Sequence, residues 1–285
     1  MRFEKYFEPA SIKECCELLV EYGKDAKLLA GGTDLVPKMK AEVLAPKAVI
    51  SLHKIPGLET YKLCDKGVTI GALMPLRKLS LCEDLNKWPA LKAAAGHVSS
   101  MQIRNQATLG GNACNASPSA DAVEGLMVYD AIVNIAGPNG DREVEIADFF
   151  KGPGKTDLKE GEFVVSFFVP APEEGTGAAY RKFAIRGDTD ISIVGAGARL
   201  LLKDGKIADA RITLASVAPT PMRAVKTEEF LIGKTPDEET AKAAGKIARD
   251  EAKPISDPRA SAWYRKDIVE VEVYHAILDA AAAVK

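Results

Sequence analysis

Leu28-Leu29-Ala30-Gly31-Gly32-Thr33-Asp34-Leu35 is an apolar run that stops at two glycines and then turns polar. With Ala26 and Lys27 before it, the run reads as a short buried strand ending in a glycine turn. Glycine tolerates positive φ without steric cost, so a tight turn is one account of the pair. The other is that some group approaches the backbone there more closely than a Cβ would permit. The pair by itself does not choose between them.

Upstream, PASIKECCELLVEYG (9–23) carries a capping box, with Ser11 as N-cap and Glu14 three residues on, and Gly23 stands where a helix C-cap belongs. Downstream, LVPKMKAEVLAP (35–46) is partly amphipathic and KAVISL (47–52) reads as a second strand. Strand, connection and strand in this order predict a small α+β lobe with parallel pairing. From residue 67 the pattern changes. Val68–Ala72 reads as a strand, PALKAAAGHV (89–98) as a helix, and DAIVNIAGPNGDREVEI (130–146) as a hairpin. GEFVVSFFVPAPEEGTG (161–177) is a last strand running into a linker, because Pro170, Pro172, Gly175 and Gly177 break regular structure, and a domain boundary is placed there. Beyond it AAYRKFAIR, ISIVGAGARLLLKDGKI and DARITLASVA read as strands, with Asp204-Gly205 as a hairpin turn. PDEETAKAAGKIARDEA and a long terminal segment, 261–284, read as helices.

The chain has 285 residues, more than the ~100–200 of one typical domain, which favours two. Its 38 basic and 40 acidic residues nearly cancel, leaving no broad electrostatic footprint for nucleic acid or an anionic membrane. No stretch approaches the ~18 apolar residues of a membrane span, and MRFEKYFEPAS lacks a signal-peptide pattern, so a cytoplasmic protein is expected. The five cysteines show no CxxC spacing and the three histidines are scattered. Neither a disulfide framework nor a metal site held by this chain is suggested.

A second glycine pair, Gly110-Gly111 in QATLGGNACNASPSADAVEGL (106–126), follows another apolar step and is crowded by Thr108, Asn112, Asn115, Ser117 and Asp121. Such a loop offers closely spaced N–H groups, hydroxyls and amides, as a phosphate cradle without charged residues requires. No GK[ST] follows, so it is not a nucleoside-triphosphate loop. VGAGARL (194–200) fails as a dinucleotide fingerprint, since Leu200 occupies the third glycine position and the chain continues as a strand; it reads as a small-residue strand packed under a helix. The two glycine pairs together are suited to clasping a pyrophosphate from two sides.

With their flanks, these loops resemble one family. LLAGGTDLVPKMK, GVTIGALMPL, IRNQATLGGNACNASPSAD, ADFFKGPGKTDLKEGEFVVSFFVP, YRKFAIRGDTDISIV, LASVAPTPMRA and ASAWYRKDIVEVEV, in order and covering most of the chain, are similar to the FAD-binding (medium) subunit of the molybdenum hydroxylases, such as xanthine dehydrogenase and aerobic carbon monoxide dehydrogenase. The resemblance implies an α+β chain. Residues 1–174 would form a two-lobed FAD-binding domain of the PCMH type, like that of vanillyl-alcohol oxidase, with lobes of about 1–55 and 56–174. Residues 175–285 would form an α/β sandwich-like domain with an antiparallel sheet and helices.

It also implies a site. Leu28, Leu29, Ala30, Gly31, Gly32, Thr33, Asp34 and Leu35 would wrap the FAD diphosphate, with glycines where the main chain meets phosphate oxygens. Thr108, Leu109, Gly110, Gly111 and Asn112 would close on the same diphosphate and the flavin side. Asp121 matches a carboxylate that hydrogen-bonds cofactor hydroxyls, Val98 stands where relatives often place an aromatic, and Val164 matches an aliphatic near the isoalloxazine. Lys182 matches a lysine that contacts FAD across the domain boundary and stabilises its anionic reduced form; Asp188 and Asp190 would serve loop structure. FAD is expected to be non-covalent, with molybdopterin and iron–sulfur clusters in partner subunits and an acceptor such as NAD⁺. No catalytic acid, base or nucleophile is assigned to this chain. The Cys-rich insertion of hydroxybenzoyl-CoA reductase is absent, which disfavours that subtype. The alternative is a stand-alone FAD-dependent oxidoreductase of the same fold superfamily; a scaffold that has lost FAD is opposed by the intact glycines and Asp121.

Overall fold

The structure is a computed structural model describing residues 3–187 and 189–284. It opens with β1 (Lys5–Phe7), α1 (Ile12–Tyr22), β2 (Ala26–Leu29), α2 (Leu35–Lys40) and β3 (Ala48–Ser51). The strands form a sheet in the order β1-β3-β2, with β3 parallel to both neighbours. The expected parallel pairing is present, and β1 is an added edge too short and too exposed to carry a readable alternation. Ser11 accepts a hydrogen bond from the Glu14 N–H at 3.2 Å. The Glu14 carboxylate reaches past the cap and accepts from the Ala10 N–H at 2.8 Å. Gly23, at φ 48°, ends the helix. The inner face of α1 buries Cys15 and Cys16 against Ile50, Leu52 and Phe163.

The next sheet is assembled from β4 (Tyr61–Cys64), β5 (Gly67–Gly71), β6 (Ile132–Ala136), β7 (Arg142–Glu145) and a late strand, Phe163–Pro170. Between β5 and β6 lie α3 (Leu76–Leu81), α4 (Pro89–Gly96), α5 (Met101–Gln106), α6 (Leu109–Cys114) and α7 (Asp121–Met127). After β7 come α8 (Ile146–Phe149) and a small hairpin, β8 (Phe150–Gly152) with β9 (Lys155–Thr156), which makes the late strand β10. The order is β4-β5-β10-β6-β7, antiparallel throughout, so β10 fills the centre between strands far earlier in the chain. Trp88, Tyr129, Phe149 and Phe167 are fully buried in this core. The polar stretch expected as a loop around Gly110-Gly111 is instead helical. Ser100 and Thr108 cap α5 and α6, and the alanines and leucines between the polar residues pack inward.

The last sheet has the order β11-β12-β13-β14, antiparallel, from β11 (Thr176–Phe183), β12 (Val194–Lys203), β13 (Lys206–Ala215) and β14 (Met222–Arg223). Asp204 and Gly205, at φ 52° and 74°, turn the β12–β13 hairpin. α9 (Val225–Leu231), α10 (Glu238–Glu251) and α11 (Ala262–Ala282) follow. Their alanine-rich faces share a core with the inner face of the sheet. The small residues of β12 do receive a helix: a Cβ on Gly197 would lie 2.5 Å from Val128 Cγ2, just past α7, and one on Gly195 2.0 Å from Glu124 Oε2. Asp130 adds an ionic tie between the two sheets, meeting Arg211 at 2.9 Å and Arg199 at 3.2 Å. Among the described residues no helix is long and apolar enough to cross a membrane.

Candidate functional site

The two glycine pairs meet. A Cβ on Gly31 would lie 1.8 Å from the carbonyl oxygen of Gln106, so the missing side chain lets the end of β2 press against the main chain entering α6. Gly32, at φ 73°, makes the turn itself. Both accounts of the pair therefore hold, one at each residue. On the side where a Gly31 side chain would stand, the neighbour is the chain's own backbone.

The two segments differ in what they leave free. In the second, Leu109 donates to Met74 O at 3.0 Å, Gly110 to Ala72 O at 2.8 Å and Asn112 to Thr108 O at 2.9 Å. The Gly111 N–H is taken by the Thr108 hydroxyl at 3.0 Å. Gly110 lies flush on Ala72, 2.7 Å from an added Cβ to the Ala72 Cβ. The amide cradle expected there is closed on itself, because the segment is the first turn of a helix. In the first segment, among the described residues, the N–H groups of Gly31, Gly32, Thr33 and Asp34 have no partner within the chain.

Those four residues line a cleft of about 490 Å³. Leu28, Ala30, Gly31, Gly32, Thr33, Asp34 and Leu35 line it from one side and Thr108, Gly110, Gly111 and Asn112 from the other, with Val98 and Val164 as apolar wall. Leu29 and Leu109 are not part of the wall; Leu109 is fully buried in the core. The sequence reading missed Lys38, which lines the cleft from α2 and donates to Asn115 Oδ1 at 3.0 Å. Asn115 in turn reaches Asp34 at 3.4 Å, so the two segments are bridged at the mouth. The signal for Lys38 was its place on the partly amphipathic stretch just after the turn. The side-chain oxygen of Asn112 is buried without a donor, a vacancy that native interiors rarely tolerate unfilled.

Asp121 and Lys182 lie elsewhere, against each other. Lys182 Nζ donates to Asp121 Oδ2 at 3.0 Å and to the His97 carbonyl at 2.8 Å. The other Asp121 oxygen accepts from the Tyr180 hydroxyl at 2.9 Å and from Ser192. The pair is sealed between α7 and β11, with side chains 6% and 3% exposed, so its polar contacts are made inside the protein. Asp190 accepts from the Arg186 main chain at 2.8 Å and from its guanidinium at 3.0 Å, which pins the loop and lowers the Asp190 acid below its ordinary range. Asp188 lies outside the described residues.

Residues 1–172 match the family model for the FAD binding domain in molybdopterin dehydrogenase, and residues 178–280 that for the CO dehydrogenase flavoprotein C-terminal domain. The chain is 34% identical to the xanthine dehydrogenase FAD-binding subunit of Escherichia coli O157:H7, covering 99% of this chain and 97% of the relative. It is 32% identical to the carbon monoxide dehydrogenase medium chain of Afipia carboxidovorans, covering 98% and 97%. The solved carbon monoxide dehydrogenase of Hydrogenophaga pseudoflava contains a chain that superposes with a TM-score of 0.96 at 34% identity, over 100% of this chain and 99% of that one. Two consecutive family domains, near-complete coverage and a shared fold leave one conclusion: the chain belongs to the FAD-binding medium subunits of the xanthine dehydrogenase and carbon monoxide dehydrogenase family, the flavoprotein components of molybdopterin-dependent oxidoreductases.

Proposed function

We propose that this chain carries electrons through non-covalent FAD, from the iron–sulfur clusters of a small partner subunit to an acceptor such as NAD⁺, while a molybdopterin-bearing large subunit hydroxylates the substrate. The observation that supports it most is the row of unpartnered amides at Gly31, Gly32, Thr33 and Asp34, opening on a cleft that also presents Lys38. That donor set suits a diphosphate.

FAD, once bound, supplies the site's capacity to take up and release electrons. The chain's own residues hold and shield it. Residues Leu28 to Leu35 bind the diphosphate through main-chain N–H groups and the Thr33 hydroxyl, and Lys38 neutralises charge at the mouth. Asn112 offers its vacant oxygen to a cofactor hydroxyl or amide. Val98 and Val164 exclude water from the apolar part of the cleft. Lys182, held by Asp121, supports the site from behind the wall through the His97 carbonyl, next to Val98.

In this reading the chain divides into 1–174, with lobes of about 1–55 and 56–174, and 175–285; the separate sheets support that division. The five free cysteines fit a reducing, cytoplasmic setting. The test is to purify the complex from its native host through a tag on this chain. Flavin absorbance with iron and molybdenum is expected. Turnover by a flavin-bearing preparation free of both metals would overturn the electron-transfer role in favour of a stand-alone oxidoreductase.

A further inference from the structure

The junction around Asp121 holds one more acid than its cation balances. Glu124, three residues on in α7, is fully buried, and neither of its carboxyl oxygens has a hydrogen-bond partner. It lies against Gly195 of β12, where no other side chain fits. The ionisable groups around it are Asp121 on its own helix and Tyr180 and Lys182 on β11, with the main chain of Ala215 on β13 alongside. The His97 ring, at the end of α4, lies tilted against that of Tyr180, centroids 5.8 Å apart. Lys182 already pairs with Asp121, which accepts three hydrogen bonds. Glu124 has no cation of its own, and an acid so placed keeps its proton. Burial first, then the charge of Asp121, pushes it well above the ordinary carboxylic range.

A file of hydroxyl groups leads out from this acid. The Tyr180 hydroxyl borders Glu124 and donates to Asp121 Oδ1 at 2.9 Å. Ser192 donates to the same oxygen and also lines a second cleft, of about 420 Å³, beside Ser117, Ser119 and Ser216.

We propose that Glu124 is a proton reserve built into the junction, and that Tyr180, Asp121 and Ser192 are the route by which its proton reaches the second cleft. The inference rests on the electron-transfer reading, in which the reduced carrier or its acceptor also gains protons. In the first step the Glu124 O–H bond breaks and its proton passes to the Tyr180 oxygen, while the proton of Tyr180 passes to Asp121. In the second, Asp121 gives that proton to Ser192 as the proton of Ser192 leaves into the cleft, to water or to a basic group there. Asp121 and both hydroxyls end as they began, Glu124 ends as a carboxylate, and no electron moves. A proton from solvent returning along the same file restores it. Glu124 is thus a positioning residue that acts through others.

The test is infrared spectroscopy of the full chain freed of FAD, at neutral pH. A carbonyl stretch of an un-ionised carboxylic acid, shifting in D₂O, is expected in the native protein and lost in Glu124→Gln. Tyr180→Phe and Ser192→Ala should keep the band but slow its deuterium shift by about a hundredfold. No such band in the native protein, or a band that survives Glu124→Gln, overturns the reserve; unchanged exchange in both route variants overturns the route. The native D₂O shift needs no substitution, so a Glu124→Gln protein that fails to fold does not remove the test. Flavin uptake when FAD is added back to the same preparations separates the two readings. Flavin bound with no band sinks the reserve alone, whereas a band in a chain that takes no flavin keeps the reserve and sinks the function it serves.

Discussion

The open cleft and the sealed junction treat the same kinds of groups in opposite ways. In the cleft, amides, an ammonium and a carboxamide oxygen are left partly unanswered by the chain. In the junction, Asp121, Lys182, Tyr180 and Ser192 answer one another, and Glu124 alone is left without a partner. Unanswered polarity in a cavity is a statement about a ligand, and answered polarity in an interior is a statement about the fold. The residues expected to form one site therefore divide into those that line the cleft and those that pack behind it.

The comparison is broken most directly at Lys182. Lys182→Met leaves Asp121 charged and unpaired, and an expected loss of about 3–5 kcal/mol in chemical denaturation follows; adding Asp121→Asn should restore much of it. If Lys182→Met keeps full stability, the junction is not structural. Gly31→Ala drives a Cβ into the Gln106 carbonyl, and about 1–3 kcal/mol of overpacking should appear as a lower Tm together with lost flavin.

Glu124→Gln sharpens the junction's side. An acid held above its ordinary range keeps, when folded, a proton that the unfolded chain releases, so native stability falls as pH rises from the ordinary glutamate range toward the raised value. The slope for one such proton is about 1.4 kcal/mol per pH unit, and denaturation of the glutamine variant across that window should show it removed. The smallest effect belongs to the cleft. Lys38 is exposed, so Lys38→Ala should change stability by less than about 0.5 kcal/mol yet raise the FAD dissociation constant about tenfold. A stability loss without a binding loss would reverse the assignment.

What the sequence made legible was local. Ser11, Gly23 and Asp204-Gly205 announce their cap and turn because the signal lies within a few residues, and VGAGARL announces a packed strand through the size of its residues. The helices around Gly110 were hidden because glycine, asparagine and serine favour turns in isolation, and only the contacts of Leu109, Ala113 and Val123 with the core override that preference. In the site, the glycine turns could be read but their division of labour could not. Whether an amide is free depends on Ala72 and Met74, more than 30 residues upstream. Lys182 and Asp121 are 61 residues apart, so no spacing rule announces that they satisfy each other.

The placement of β10 has a consequence for synthesis. Residues 163–170 fill the gap between β5 and β6, so the central sheet stays open until that segment has left the ribosome. Until then the facing edges of β5 and β6 are bare templates for wrong pairing. A ribosomal pause just before this strand would lengthen that exposure, and one placed after it would give the sheet time to close before β11 emerges.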